Sequence, residues 1–179
     1  VYPDLLWQPD TDVSPEFLGV DGIWDGSNVA GGEGAKGEGV LVGILDTGIN
    51  MDHPSFAEVG PVDGYVHTNP FGADVYKGLC STIPDNYVCN DKLVGVYAYV
   101  DEPIVGEDAS DHGSHTAATT AGNIVSFDFS GAMVTISGMA PHANIIAYDV
   151  CHDDGCPNAA TVSAVEQAVV NGVDVLNYS

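Results

Sequence analysis

The stretch Gly39–Val40–Leu41–Val42–Gly43–Ile44–Leu45–Asp46–Thr47–Gly48 sets seven apolar or glycine residues in a row ahead of an acid, a threonine and a glycine. A Val/Ile/Leu run without polar alternation reads as a strand buried on both faces, as in a parallel sheet covered by helices. The run stops at the carboxyl end of that strand, where ligands and chemistry collect in parallel sheets. Asp46 is therefore a candidate catalytic carboxylate. The plainer alternative is an Asp that caps a turn, a common use of the residue.

Outward from this strand, Lys92–Val100 and Asn144–Val150 are further strand candidates. Asn158–Asn171 has the pattern of a helix, with Asn158 as N-cap, Val162, Val165, Ala168 and Val169 as its apolar stripe, and Gly172 as its stop. Val173–Asn177 follows as a strand, so strand, helix and strand make a right-handed βαβ unit. The expected fold class is α/β, a three-layer arrangement with a mainly parallel sheet flanked by helices. Gly60–Asp111 is loop-rich and long for a connection in a compact α/β domain, which points to function or insertion. Residues 1–36, with Pro3, Pro9, Pro15 and a short helix starting near Ser14, read as an extended N-terminal arm, and 37–179 as the domain proper.

His112 and His115 lie three apart, so on a helix they roughly share a face. The residues after them are small enough for that helix to approach a strand closely, and Gly122–Asn123 would end it. A zinc site of the His-Glu-x-x-His type needs an internal acid and a different spacing. A histidine at a helix start, paired with a strand-end acid, can instead act as general base, with Asp46 holding its tautomer.

Composition narrows the partners. The 179 residues are 45% apolar, and 26 acidic residues stand against only Lys36, Lys77 and Lys92, giving a net charge of −23. That charge argues against nucleic acid or an anionic membrane as partner. No apolar run approaches the ~18 residues of a membrane span. The four cysteines form two close pairs, Cys80 with Cys89 and Cys151 with Cys156. Adjacent pairing is the simplest of three connectivities and implies an oxidising compartment. A metal held by Cys151, His152 and Cys156 with His142 would match no common zinc spacing. Val1–Tyr2–Pro3 opens without a basic or apolar leader, so any targeting segment is expected to be gone already.

Taken together, Asp46–Thr47–Gly48 after an apolar strand and His112–Gly113–Ser114–His115 before small residues resemble the aspartate and histidine motifs of the subtilases, the subtilisin-like serine proteases. Gly138–Ala143 and Gly172–Ser179 resemble the two segments that follow. The likeness runs from about Val40 to Ser179 and is greatest to the secreted, plant-like branch, whose members often carry an inserted protease-associated domain. It implies a secreted endopeptidase acting on protein or peptide substrates, with Asp46 and His112 as two members of an Asp-His-Ser triad. Cys151, Asp153 and Gly155 would lie on the edge that pairs with substrate, and Ser179 would line the primary specificity pocket. The family's nucleophile and oxyanion asparagine fall downstream of these residues, and Ser114, Ser137 and Ser163 do not sit in a nucleophile-type turn. Residues 1–179 alone are thus expected to be inactive, with the remainder of the protease as their partner. No cofactor is needed for the chemistry, and a structural calcium ion is compatible with acidic loops such as Asp101–Glu102 and Asp153–Asp154. Asp-Thr-Gly also occurs in aspartic proteases, but these need a second aspartate in an all-β setting, against the helical pattern at 158–171. A non-catalytic domain that kept the fold is the remaining alternative.

Overall fold

The computed structural model describes residues 13–101, 105–152 and 154–179; Pro3, Pro9, Glu102 and Asp153 lie outside the described residues. In chain order the elements are α1 (Ser14–Leu18), α2 (Asp21–Trp24), β1 (Leu41–Asp46), β2 (Lys77–Gly78), α3 (Leu79–Thr82), β3 (Leu93–Ala98), α4 (His112–Ala121), β4 (Val125–Phe129), β5 (Ala132–Ile136), β6 (Asn144–Asp149), α5 (Asn158–Asn171) and β7 (Val175–Tyr178). Strands β2-β3-β6-β1-β7 form one sheet in that order, and its pairs are all parallel.

β1 explains the site's position. All six of its residues are buried, and because side chains alternate across a strand, the two faces separate cleanly. Leu41 and Leu45 join Ile146, Tyr148 and the alanines of α5 in one core. Val42 and Ile44 join Ile145, Ala147, Ala117 and Ala121 in the other, beneath α4. Continuing the alternation, Asp46 falls on the α4 side.

Several expectations are corrected in detail. α5 buries Ala160, Ala164, Ala168 and Asn171, whereas Val162, Val165 and Val169 are exposed. The sheet face beneath already carries Leu41, Leu45, Ile146 and Tyr148, so a helix can seat closely only through its smallest side chains. Asn158 is the first helical residue rather than its cap; Pro157 holds the cap position and no side chain caps the end. Gly172 does end α5 in the left-handed conformation, at φ 72°. Gly122 ends α4 differently, at φ −65° and ψ 145°. It is glycine because a Cβ there would come within 2.7 Å of the Ala118 carbonyl oxygen. Within 60–111 the chain forms β2, α3 and β3, and a disulfide joins Cys80 to Cys89. Residues 125–136 form an antiparallel hairpin that the motif reading passed over, turning at Ser130 and Gly131, both at positive φ. Of the arm, residues 13 onward fold as α1 and α2 and are tied to the domain, the Trp24 indole N–H donating to the Met139 carbonyl at 3.0 Å.

Candidate active site

The turn after β1 and the start of α4 interlock. Gly48 takes φ 98°, and a Cβ on it would meet the Glu107 carbonyl oxygen at 2.7 Å. Gly113 is still tighter: a Cβ there would meet the Gly48 carbonyl oxygen at 2.2 Å. Two glycines thus let the helix start press against the strand end, and His112 arrives beside Asp46. His112 Nδ1 lies 2.7 Å from Asp46 Oδ1. Asp46 is 1% exposed, while the His112 side chain is 53% exposed.

Asp46 is held from several sides. Its Oδ1 accepts the Thr47 backbone N–H at 2.8 Å, and its Oδ2 accepts the Thr116 hydroxyl at 3.0 Å, one helical turn beyond His112. With Nδ1–H donating to the carboxylate, the imidazole lone pair stays on Nε2, the atom a general base uses. The hydrogen bond to Asp46, and then its negative charge, raise the His112 pKa above 6.5; burial opposes this weakly and Asp108 adds to it.

A shallow cleft of ≈ 240 Å³ runs past the pair, lined by Asp46, His112, Cys151, His152, Gly155 and Ser179 among others. The Ser179 hydroxyl lies 3.4 Å from Asp46 Oδ2. The structure therefore gathers Asp46, His112, Cys151, Gly155 and Ser179 around one space, while Asp153 lies outside the described residues. On this side of the cleft Cys151–His152 and Gly155–Cys156 are held together. A disulfide joins Cys151 to Cys156, and His152 and Gly155 exchange backbone hydrogen bonds at 3.0 and 3.1 Å. The cysteines of this segment are thus bridged, which removes them as metal ligands. His115 points elsewhere, into a small pocket with Ser55, Thr119 and Asn123.

Two carboxylates that the motif reading did not single out complete the surroundings. Asp149 pairs in register with Asp46, is fully buried, and accepts the Gly106 N–H at 3.2 Å. Asp108 is 8% exposed and reaches α4 and Thr47. An Asp four residues before a helix-start histidine was the available signal. For calcium, Asp101 and Asp154 are exposed, and among the described residues no three His, Cys, Asp or Glu side chains converge as a metal site.

In this parallel α/β domain a buried strand-end carboxylate thus orients a helix-start imidazole. The Subtilase family model (Peptidase S8) matches residues 37–179, and the chain belongs to the subtilase family. Similar relatives include the subtilisin-like protease SBT1.4 of Arabidopsis thaliana, 34% identical over 203 residues, covering 100% of this chain and 24% of that protein. Subtilisin-like protease SBT4.12 of the same plant is 35% identical over 184 residues, covering 100% of this chain and 23% of that protein. This chain therefore spans about a quarter of the length of the curated relatives it matches. Among solved structures, that of a lanthipeptide protease covers 80% of this chain and 29% of that one, at 23% identity and a TM-score of 0.47.

Proposed function

We propose that these residues are the Asp-His half of a secreted serine endopeptidase. The observation that carries the reading is the 2.7 Å contact between His112 Nδ1 and the buried Asp46 carboxylate. A serine from a segment outside residues 1–179 attacks the carbonyl carbon of a peptide bond, and His112 Nε2 takes its proton. The same proton then passes to the departing amine as the C–N bond breaks, leaving an acyl-enzyme. Water attacks this ester in turn, His112 taking its proton and passing it to the serine oxygen as the acyl C–O bond breaks and the carboxylic acid product leaves. Asp46 stays ionised throughout and stabilises the imidazolium. An extended peptide lies along the wall that includes Cys151 and Gly155, and Ser179 lines the pocket for the residue before the scissile bond. Two disulfides support a role in the extracellular space.

The test is labelling of the full-length protein with a fluorophosphonate probe. Labelling is expected in the wild type and lost in His112→Ala, with no inhibition by a pepstatin-like peptide. Residues 1–179 expressed alone are expected to show no labelling. A full-length protein that resists the probe, or His112→Ala labelling at the wild-type rate, overturns the reading.

A further inference from the structure

Asp108 sits where three segments of the site meet. Its Oδ1 accepts the Thr47 hydroxyl at 2.8 Å and the Ser110 backbone N–H at 3.2 Å. Its Oδ2 accepts the Ser114 backbone N–H at 2.6 Å. The Thr47 oxygen in turn accepts the Gly113 N–H at 2.9 Å. The first N–H groups of α4 lack partners within the helix, and here two of them are satisfied through Asp108, one directly and one by way of Thr47. Asp111, in the cap position itself, takes φ 65° and gives no side-chain cap. The loop carrying Asp108 is pinned across the strand ends, Gly106 N–H donating to Asp149 and Gly106 carbonyl accepting from Ile49 N–H at 3.2 Å.

We propose that Asp108 is a positioning residue: acting through Thr47 and the start of α4, it fixes His112 against Asp46 in the geometry of proton transfer. The proposal rests on the peptidase reading above and adds a second buried carboxylate to it. His112 is half exposed and has one hydrogen bond to Asp46, so its ring is only as well placed as the backbone beneath it. That backbone is the segment that Asp108 and Thr47 clamp. A displacement of about 1 Å at such a site can cost about a hundredfold in rate.

The experiment compares full-length wild type with Asp108→Asn, Thr47→Val and Thr47→Ser. Asn keeps one acceptor oxygen and cannot serve Thr47 and Ser114 as the carboxylate does; Val removes the bridging hydroxyl; Ser keeps it. Asp108→Asn and Thr47→Val are expected to lower kcat by about ten- to a hundredfold, within the range of a small misplacement, with KM little changed. Thr47→Ser is expected to stay near wild type. The charged groups facing the ring are Asp46 from β1 and Asp108 from the loop before α4, and His152 lines the same cleft. Removing the Asp108 charge is therefore expected to shift the His112 NMR titration midpoint downward, by a fraction of the about 1–3 units that a contacting charge brings. The downfield Nδ1–H resonance of His112 should weaken in both damaging variants.

Asp108→Asn and Thr47→Val with wild-type kcat and an unmoved His112 resonance overturn the proposal, as does a Thr47→Ser variant as impaired as Thr47→Val. If Asp108→Asn does not fold, the Thr47 pair decides. If the wild type fails to react with fluorophosphonate, the peptidase reading falls, while the His112 resonances still settle whether Asp108 positions the ring.

Discussion

Asp46 and His112 divide their work by exposure. Asp46 is buried and held by Thr47 and Thr116, so it holds a fixed orientation, while the half-exposed imidazole can meet a substrate. On the proposed reading, Asp46→Asn in the full-length protein is expected to lower kcat by about 10⁴, the scale seen for triad aspartates in serine proteases, with KM nearly unchanged; steady-state kinetics check this. His115→Gln is expected to be far milder than His112→Gln, since His115 faces a different pocket. Only neutral His112 can accept a proton, and its hydrogen bond to Asp46 raises its pKa above 6.5. Activity should therefore rise with pH through a midpoint above about 6.5, and a kcat/KM profile with its acid limb well below that value would contradict the assignment. Both residues of this pair were legible in the sequence, because a strand end and a helix start flanked by small residues leave local signatures. Asp108 offered only its place four residues before His112, and Asp149 offered less, since their contacts with Thr47 and Gly106 join segments far apart in the chain.

Elements explain what single residues cannot. Gly113→Ala would place a methyl 2.2 Å from the Gly48 carbonyl oxygen, so α4 must retreat from β1 and carry His112 with it. A loss of about a hundredfold in kcat is expected. Gly172→Ala provides the contrast: it meets nothing within 4 Å, and its positive φ costs about 1 kcal/mol of stability without touching the site. Measuring kcat and Tm for both variants separates the two effects. The hairpin wall gives a similar division. Replacing Cys151 and Cys156 by serine opens a loop with a sequence separation of only 5, so the unfolded-state effect is at most about 2–3 kcal/mol. The wall loses its fixed shape, however, and more ordering must accompany binding. KM for long peptides is expected to rise more than Tm falls; an unchanged KM beside a large drop in Tm would show that the bridge serves the fold alone. The helix at 158–171 was legible in extent but not in facing. Valine is the stronger apolar signal, yet depth against a sheet that already holds Tyr148 and two leucines selects for alanine. The hairpin at 125–136 was readable only from its Ser130–Gly131 turn, because its strands carry little burial to mark them.

For the molecule as a whole, the end of the sheet opposite the site holds a polar cluster with its own pH response. His67 is 2% exposed and bonds Asn123 at 2.8 Å. Burial, and then the charge of Lys92, lower its pKa from 6.5 to about 4. Between those values the folded state binds fewer protons than the unfolded one, so the stability from neutral His67 is full above about pH 6.5 and drains away toward pH 4. At about 1.4 kcal/mol per unit this is at most about 3.5 kcal/mol. The Tm of the full-length protein should fall across that window, and His67→Gln should flatten the fall. The parallel order of the sheet was foreseeable from its βαβ pattern, but its sequence of strands was not, because nothing local says which strand sits in the middle. β1 lies between β6 and β7, so Leu41 waits for Asn144 and Val42 for Val175 before either is paired. At a synthesis rate of about 5–20 residues per second, roughly 5–20 s pass between the emergence of β1 and that of its first neighbour. Through that interval a strand destined for full burial has no native neighbour to pair with, so the strand that carries Asp46 is exposed to misassembly during folding.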